Sequence, residues 1–258
     1  MIRKLSVLVL LMITLSSFIM LKKDKPVFYI IGDSTVRNGD GSSRNTQWGW
    51  GSFIADYFDT GKISVRNLAI GGRSSRTFIT EGRWDKIVAD LEKGDFVIMQ
   101  FGHNDGGPLD DTARARGTIR GIGEESKEIY DPITKKQEVV HTYGWYMRKY
   151  IREAKEKKAI AIVCSPIPRN DWRDGKVVRS SDSYSKWAKE VADNEAAYFI
   201  DLNNLIASKY EEIGPDKVKP FFPADHTHTN LDGAKINADI VINSLREIKS
   251  LKLKKFFK

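Results

Sequence analysis

Three short segments with the pattern of strands constrain the fold most strongly, because glycine and polar residues follow each of them. They span residues 27–31, 63–70 and 95–101, of which the first and third are the most continuously apolar, and further apolar runs occupy 159–165 and 197–201. Runs of this length, bounded by turn residues, are typical of buried strands. Helical patterns separate them, and strands that alternate with helices favour one parallel sheet covered on both faces. The helices are predicted at residues 53–58, 84–91, 143–158, 183–194, 203–213 and 231–248.

The sequence therefore predicts an α/β protein, a three-layer α/β/α sandwich with a five-stranded parallel sheet. A flavodoxin-like strand order would make the ends of the first three strands neighbours at the switch point of the sheet, where ligands bind. Residues 108–142 interrupt the alternation, and their segment 127–140 has the pattern of a small hairpin with an Asp-Pro turn. Long loops in compact domains are usually functional or disordered. We interpret this segment as an insertion that walls the site.

The 258-residue chain is predicted to consist of a leader followed by one domain. Arg3 and Lys4 precede an uncharged apolar run at residues 5–21, which Lys22 and Lys23 end. This is the pattern of a secretory signal. Residues 1–25 are therefore predicted to be a signal peptide or N-terminal anchor, and residues 26–258 a single folded domain. We expect an exported protein, either secreted, periplasmic or tethered through this segment.

The net charge indicates which classes of partner the protein binds. The net charge of +8 suits an anionic partner such as nucleic acid, an acidic membrane surface or an acidic polysaccharide. For an exported protein the polysaccharide is the natural choice, and we expect no nucleic acid and no membrane contact beyond the N-terminal segment. Solubility alone is the other explanation of the charge. The single cysteine, Cys164, lies in an apolar run and is interpreted as buried, and we expect a monomer.

Two polar segments carry the residues needed for nucleophilic catalysis. Ser34 follows the first apolar run, although a simple Ser/Thr turn would have the same local sequence. Asp225 and His228 precede the last helix with the spacing Asp-x-x-His. A nucleophilic serine needs a base, and the base needs a partner that fixes its tautomer. His226 competes with His228 for this role, and a loop without chemistry or a metal site formed by both histidines are the alternatives.

Ester attack also requires preorganised hydrogen-bond donors for the oxyanion. Candidates follow each of the three neighbouring strands. They are the backbone N–H of Ser34, the backbone N–H of Gly72 and the side-chain amide of Asn104. These donors, combined with the Ser34 hydroxyl, Asp225 and His228, indicate ester hydrolysis more specifically than any one of these residues alone.

At these residues the sequence resembles a known family. The segments 32–34, 67–72, 102–105 and 225–228 resemble the four blocks of the SGNH (GDSL-type) hydrolases, and the segments 71–76, 81–84, 101–107 and 222–228 are similar to those of rhamnogalacturonan acetylesterases. The resemblance implies Ser34 as nucleophile, His228 as base, Asp225 as its orienting carboxylate and an oxyanion hole of Ser34, Gly72 and Asn104. Gly71 is the competing match for Gly72. No metal and no cofactor are implied.

The resemblance leads to the hypothesis of an exported carbohydrate esterase that removes O-acetyl groups from pectic polysaccharide. Arg73, Arg76 and Trp48 are the candidate substrate-binding residues, and Arg37 and Arg169 also lie near strand ends. Arginine pairs with carboxylates bidentately, and an exposed tryptophan stacks on sugar rings, although tryptophans more often anchor the core. The alternatives are a lipid esterase, a thioesterase, a xylan deacetylase or a non-catalytic carbohydrate-binding protein.

Overall fold

A computed structural model describes residues 25–39, 41 and 47–258. Apart from Lys25, the predicted leader lies outside the described residues, and it stays a prediction. Within the described part of the chain, no helix has the length and apolar character needed to cross a membrane. The strands are β1 (Val27–Gly32), β2 (Ser64–Asn67), β3 (Phe96–Gln100), β4 (Ser126–Asp131), β5 (Lys136–His141), β6 (Ile160–Cys164), β7 (Trp172–Arg173), β8 (Lys176–Val177) and β9 (Tyr198–Ile200).

The main sheet has five parallel strands in the order β2-β1-β3-β6-β9. It is the order predicted from the sequence, and the helices that connect the strands cover both faces. The helices are α1 (Ser75–Thr80), α2 (Arg83–Asp90), α3 (Tyr143–Glu156), α4 (Tyr184–Asn194), α5 (Leu202–Ile213), α6 (Pro215–Val218) and α7 (Leu231–Glu247), and a 3-10 helix spans Trp50–Tyr57.

Strand β1 lies between β2 and β3, and both of its faces are buried. Phe28 and Ile30 pack into one hydrophobic cluster, whereas Tyr29 and Ile31 pack into the cluster on the opposite face. Successive side chains of a strand point to opposite faces, so a continuous apolar run is what a strand covered on both sides requires. The predicted three-layer α/β/α sandwich is confirmed.

Gly32 ends β1 where the backbone of β3 comes very close. A Cβ atom at this position would lie 2.6 Å from the Gln100 carbonyl oxygen and 2.7 Å from Val36 Cγ2. The chain then turns, with the Asp33 carbonyl accepting hydrogen bonds from the N–H groups of Val36 and Arg37. Because only glycine fits this approach, the turn places Ser34 at the carboxyl edge of the sheet.

Several elements, among them the following three, were not predicted from the sequence. Helix α1 lies in the loop after β2, where a capping box between Ser74 and Thr77 starts it. The β7–β8 hairpin is too short for a periodic pattern. After α7 the basic C-terminal tail folds back onto the core, and Phe257 stacks on Phe58 with ring centroids 4.6 Å apart. Each of these elements depends on local capping or tertiary contacts rather than on hydrophobic periodicity.

The predicted hairpin in the insertion is confirmed as β4 and β5, and Arg76 of α1 holds it to the domain. Nε and Nη2 of Arg76 each donate to the Glu138 carboxylate at 2.7 Å, and Nη1 donates to the Leu109 and Gly117 carbonyls at 2.8 and 3.0 Å. Its side chain is 0% exposed. The prediction that Arg76 binds substrate is wrong, because its guanidinium is buried and donates its hydrogen bonds to residues of the insertion.

We therefore expect Arg76→Met to reduce the free energy of unfolding by about 3–5 kcal/mol, since it leaves the partly buried Glu138 carboxylate unpaired. Urea unfolding followed by circular dichroism measures the change. Arg83→Met is the matched control, because Arg83 pairs with Glu81 at the surface. Its cost should stay within about 1 kcal/mol. Equal losses in the two variants would contradict a structural role for Arg76.

Buried Asp105 forms a second tie between α1 and the loop that follows β3. Its carboxylate accepts hydrogen bonds from the backbone N–H and the hydroxyl of Ser75, and its carbonyl accepts one from Thr118 N at 2.9 Å. Burial raises the pKa of Asp105 to about 7, although the hydrogen bonds from Ser75 oppose that rise. Asn104 directly precedes Asp105 in the loop after β3, so the contacts of Asp105 also restrict the position of Asn104.

This raised pKa predicts a pH dependence of stability. Between the unfolded pKa of about 4 and the folded pKa of about 7, the folded chain binds the extra proton, so the contribution of Asp105 to stability falls as pH rises through this window. We expect the unfolding free energy of the wild type minus that of Asp105→Asn to decrease from about pH 4 to about pH 7 and then level off. Denaturant unfolding at a series of pH values measures it.

Asp111→Asn is the control, because hydrogen bonds from backbone N–H groups, that of Arg114 first, lower the pKa of the exposed Asp111. Its contribution to stability is lost only as pH falls below about 4, which is the opposite sign. A flat difference for Asp105→Asn across the window would show that Asp105 does not carry the proton.

Candidate active site

Ser34, His228 and Asp225 form a continuous chain of hydrogen bonds at the carboxyl edge of the sheet. His228 Nε2 lies 2.8 Å from Ser34 Oγ, and His228 Nδ1 lies 2.6 Å from Asp225 Oδ2. When Nδ1 donates to the carboxylate, Nε2 keeps its lone pair for the Ser34 proton. The three residues are thus arranged as a nucleophile, a base and an orienting acid.

The loop before α7 fixes the carboxylate and the imidazole relative to each other. Asp225 Oδ1 accepts the backbone N–H groups of Thr227 and His228 at 2.7 and 2.8 Å, which leaves Oδ2 for the imidazole. Partial burial alone would raise the pKa of Asp225, but the hydrogen bonds from the His228 ring and from these two N–H groups lower it. The carboxylate therefore stays ionised at neutral pH, as an orienting acid must.

His226 does not compete for Ser34. Its Nδ1 lies 2.7 Å from Asp171 Oδ1, so each histidine of the loop has its own carboxylate. No group of three or more His, Cys, Asp or Glu side chains in residues 25–39, 41 and 47–258 is arranged to hold a metal ion. The alternative of a metal site built on both histidines has no support in this geometry.

The candidate oxyanion donors line the same cleft as Ser34 and His228. Gly72 has φ +78°, a left-handed conformation that favours glycine, and its carbonyl accepts a hydrogen bond from Arg116 Nη1 at 3.1 Å. Asn104 Nδ2 donates one hydrogen to the Arg73 carbonyl at 2.9 Å, which leaves its second amide hydrogen for a ligand. The structure thus brings together the donors that the sequence placed after three different strands.

The cleft has a volume of about 700 Å³ and is strongly basic. Arg37 and Arg73 enter it from the loops after β1 and β2, whereas Arg114 and Arg116 enter it from the insertion. Burial and the charge of Arg114 lower the pKa of Arg116. The side chain of Ile133, at the turn of the β4–β5 hairpin, lines the cleft as well, so the insertion does wall the site.

Sequence reasoning found only part of this basic lining. Arg73 lies in the cleft, where its Nε donates to Glu81 at 3.1 Å. Arg114 and Arg116 were missed, although the repeated Ala-Arg pairs of residues 113–116 were a visible signal. Because the insertion lacks regular elements before β4, its sequence did not reveal where these side chains point.

Trp48 does not line the cleft, and its predicted stacking on a sugar is not supported. Its ring stacks on Phe53 with centroids 5.7 Å apart, and its backbone carbonyl accepts the hydroxyl of Thr229 at 2.8 Å. The backbone N–H of Trp48 donates to the Thr229 carbonyl at 2.8 Å as well. Trp48 is therefore a partly exposed residue whose backbone fixes the segment next to His228.

Residues 30–236 match the GDSL-like lipase/acylhydrolase family. The rhamnogalacturonan acetylesterase of Emericella nidulans is 34% identical over 218 residues, which cover 84% of this chain and 83% of that protein. The probable rhamnogalacturonan acetylesterase YesY of Bacillus subtilis is 32% identical over 226 residues, which cover 85% of this chain and 92% of that protein.

Solved structures give the same fold. The crystal structure of the Bacillus subtilis protein YxiM matches with a TM-score of 0.69 and 27% identity, covering 86% of this chain and 56% of that chain. The resemblance found in the sequence blocks is confirmed by the family match across most of the chain. The chain belongs to the GDSL-like lipase/acylhydrolase family and is an esterase of that family.

Proposed function

We propose that this esterase hydrolyses acetyl esters of a carbohydrate by a Ser-His-Asp mechanism with an acyl-enzyme intermediate. The observation that carries the proposal is the 2.8 Å contact between Ser34 Oγ and His228 Nε2, backed by Asp225 at 2.6 Å. His228 takes the hydroxyl proton as Ser34 Oγ attacks the acetyl carbonyl carbon, and the carbonyl oxygen becomes an oxyanion.

The oxyanion accepts hydrogen bonds from the N–H groups of Ser34 and Gly72 and from the Asn104 amide. The tetrahedral intermediate then collapses, the sugar oxygen leaves, and His228 returns the proton to it as a hydroxyl. Water attacks the acetyl-serine by the same route, with His228 as its base, and releases acetate. Every step uses groups that line the one cleft.

The charge of the cleft supports an acidic polysaccharide as the substrate. Arg37, Arg73, Arg114 and Arg116 surround Ser34, and Glu81, the only acid among the described cleft residues, already pairs with Arg73 and Arg83. Galacturonate carboxylates would relieve the repulsion between neighbouring guanidinium groups. The two relatives named as rhamnogalacturonan acetylesterases support the same choice, so acetylated rhamnogalacturonan is the proposed substrate.

The proposed location is outside the cytoplasm, because such a polymer is reached only by an exported enzyme. The support is the apolar run at residues 5–21 between basic residues, which has the pattern of a secretory signal. A monomer remains part of the proposal, since all the groups of the mechanism come from one chain.

The two histidines of the loop before α7 give a matched test of the catalytic base. His228→Ala should lower kcat for p-nitrophenyl acetate by about 10⁴-fold or more, because the base and its acid partner are then uncoupled from Ser34. His226→Ala should remain within about threefold of the wild type, because His226 contacts Asp171 and not Ser34. Steady-state kinetics measure both. Equal losses in the two variants, or a mild effect of His228→Ala, would contradict the assignment.

Arg114→Gln tests the acidic substrate. Its guanidinium lines the cleft and forms no ion pair with an acidic side chain of the described residues. A charge-assisted hydrogen bond contributes about 1.5–3 kcal/mol. We therefore expect the ratio of kcat/KM for acetylated rhamnogalacturonan to that for p-nitrophenyl acetate to fall about tenfold. Arg120→Gln is the control in the same insertion, because Arg120 lies over the Trp187 ring and not in the cleft.

A substrate panel separates this proposal from its alternatives. Acetate release by the wild type should be faster from acetylated rhamnogalacturonan than from acetylated xylan, and long-chain acyl esters should be poor substrates. A preference for xylan, together with an unchanged ratio in Arg114→Gln, would favour a deacetylase of neutral polysaccharides. A preference for long acyl chains would favour a lipid esterase.

A further inference from the structure

A second cavity, of about 420 Å³, lies beside the catalytic loops. It is bounded by the loop after β3, the segment after β6 and the start of α4, and its lining includes His103, Pro166, Arg169, Val178, Tyr184 and Asn203. No residue that lines it also lines the cleft that contains Ser34. The mechanism above makes no use of this cavity.

The second cavity adjoins the active site on two sides. His103 directly precedes Asn104, one of the proposed oxyanion donors. On its rim, Asp171 pairs with His226, and the backbone N–H of Asn170 donates to the His226 carbonyl at 2.7 Å. The loop that carries Asp225 and His228 therefore connects the two cavities.

Its walls are held in place by hydrogen bonds that do not involve a ligand. Asn203 Nδ2 donates to the Pro166 carbonyl at 2.8 Å, and Asn203 Oδ1 accepts the backbone N–H of Ser180 at 3.0 Å. These two bonds join the segment after β6 to the segment after β8. The cavity is thus formed before any ligand binds, as is usual for binding sites of small molecules and sugars.

His103 forms part of the cavity wall without offering a free group to it. Its Nε2 is buried without a hydrogen-bond partner in the described residues, while the ring bonds to the Ile167 backbone carbonyl. Burial lowers the pKa of His103, so the ring is neutral and adds no charge to the cavity.

Arg169 supplies the unpaired charge of the cavity. It is exposed and forms no ion pair with a described residue, whereas the other arginine of the lining, Arg179, is bound to Glu211 at 2.6 Å, and the acid of the lining, Asp171, is bound to His226. Val178, which is 43% exposed, and the neighbouring prolines offer an apolar surface to the C–H face of a sugar ring. An unpaired guanidinium beside an apolar wall matches a sugar that carries a carboxylate.

We propose that the second cavity is a subsite for a uronate residue of the polysaccharide whose acetyl group lies at Ser34. Arg169 binds the carboxylate, and Val178 contacts the apolar face of the ring. The proposal rests on the proposed function for its substrate class. A polymer that occupies both cavities crosses the loop between them, so the subsite sets which position along the polymer is presented to Ser34.

Binding to a catalytically inactive protein tests the subsite directly. In full-length Ser34→Ala protein, calorimetry with saponified rhamnogalacturonan oligosaccharides gives the Kd. Adding Arg169→Gln should raise this Kd about tenfold through the lost charge-assisted hydrogen bond. Val178→Trp should also raise it, because the indole fills part of the cavity. Arg173→Gln is the control, since Arg173 is exposed on β7 but does not line the cavity.

The outcomes separate this proposal from the proposed function. An unchanged Kd in both Arg169→Gln and Val178→Trp, or no binding by Ser34→Ala protein, overturns the subsite even if the wild type deacetylates rhamnogalacturonan. An Arg169-dependent Kd supports the subsite even if the wild type releases no acetate from that polymer. If free galacturonate binds as tightly as the oligosaccharides, the cavity is an isolated monosaccharide site, and its link to the polymer is overturned.

Discussion

The structure depends on the hydrogen-bonded contact between the end of β1 and the loop that precedes α7. Ser34 and His228 are separated by 194 positions in the sequence, yet their Oγ and Nε2 atoms lie 2.8 Å apart. The contact requires β1 between β2 and β3 in the sheet, a glycine at position 32 that admits the β3 backbone, and an Asp225 side chain that holds both the backbone and the ring of His228. The relative positions of these catalytic groups determine the reaction rate, because a displacement of about 1 Å lowers the rate about 10²-fold.

The insertion adds a basic wall to the cleft, and buried charges hold it in place. Arg76 pairs with Glu138 inside the protein, so the insertion brings Arg114 and Arg116 to the cleft at a fixed position. Arg116 also donates to the carbonyl of Gly72 at 3.1 Å and thereby connects the insertion to a proposed oxyanion donor. A buried ion pair contributes little to net stability, but breaking it is costly. Its value here lies in orienting the basic wall of the cleft.

Much of the fold was predictable because burial on both faces leaves a clear signal. Continuous apolar runs located the inner strands β1, β3 and β6, and glycine with polar residues after β1, β2 and β3 indicated the edge that carries the site. Ser34, Gly72 and Asn104 were predictable because the ends of neighbouring strands converge, whereas Asp225 and His228 were found from their Asp-x-x-His spacing and from the resemblance to the family. The roles of Arg76 and Trp48 were not predictable, because the sequence does not distinguish a guanidinium or indole that is engaged in tertiary contacts from one that is free to bind substrate. Arg114 and Arg116 were missed because the insertion has no periodicity to place them.

The central claim is that Ser34 is the nucleophile, and covalent labelling tests it most directly. After treatment with a fluorophosphonate that inhibits ester hydrolysis, peptide mass spectrometry should find one adduct, on Ser34, in proportion to the loss of activity. The adduct should be absent from His228→Ala protein treated in parallel, since the hydroxyl then lacks its base. Full inhibition with the label on another residue, or sustained hydrolysis by protein fully labelled at Ser34, would contradict the account.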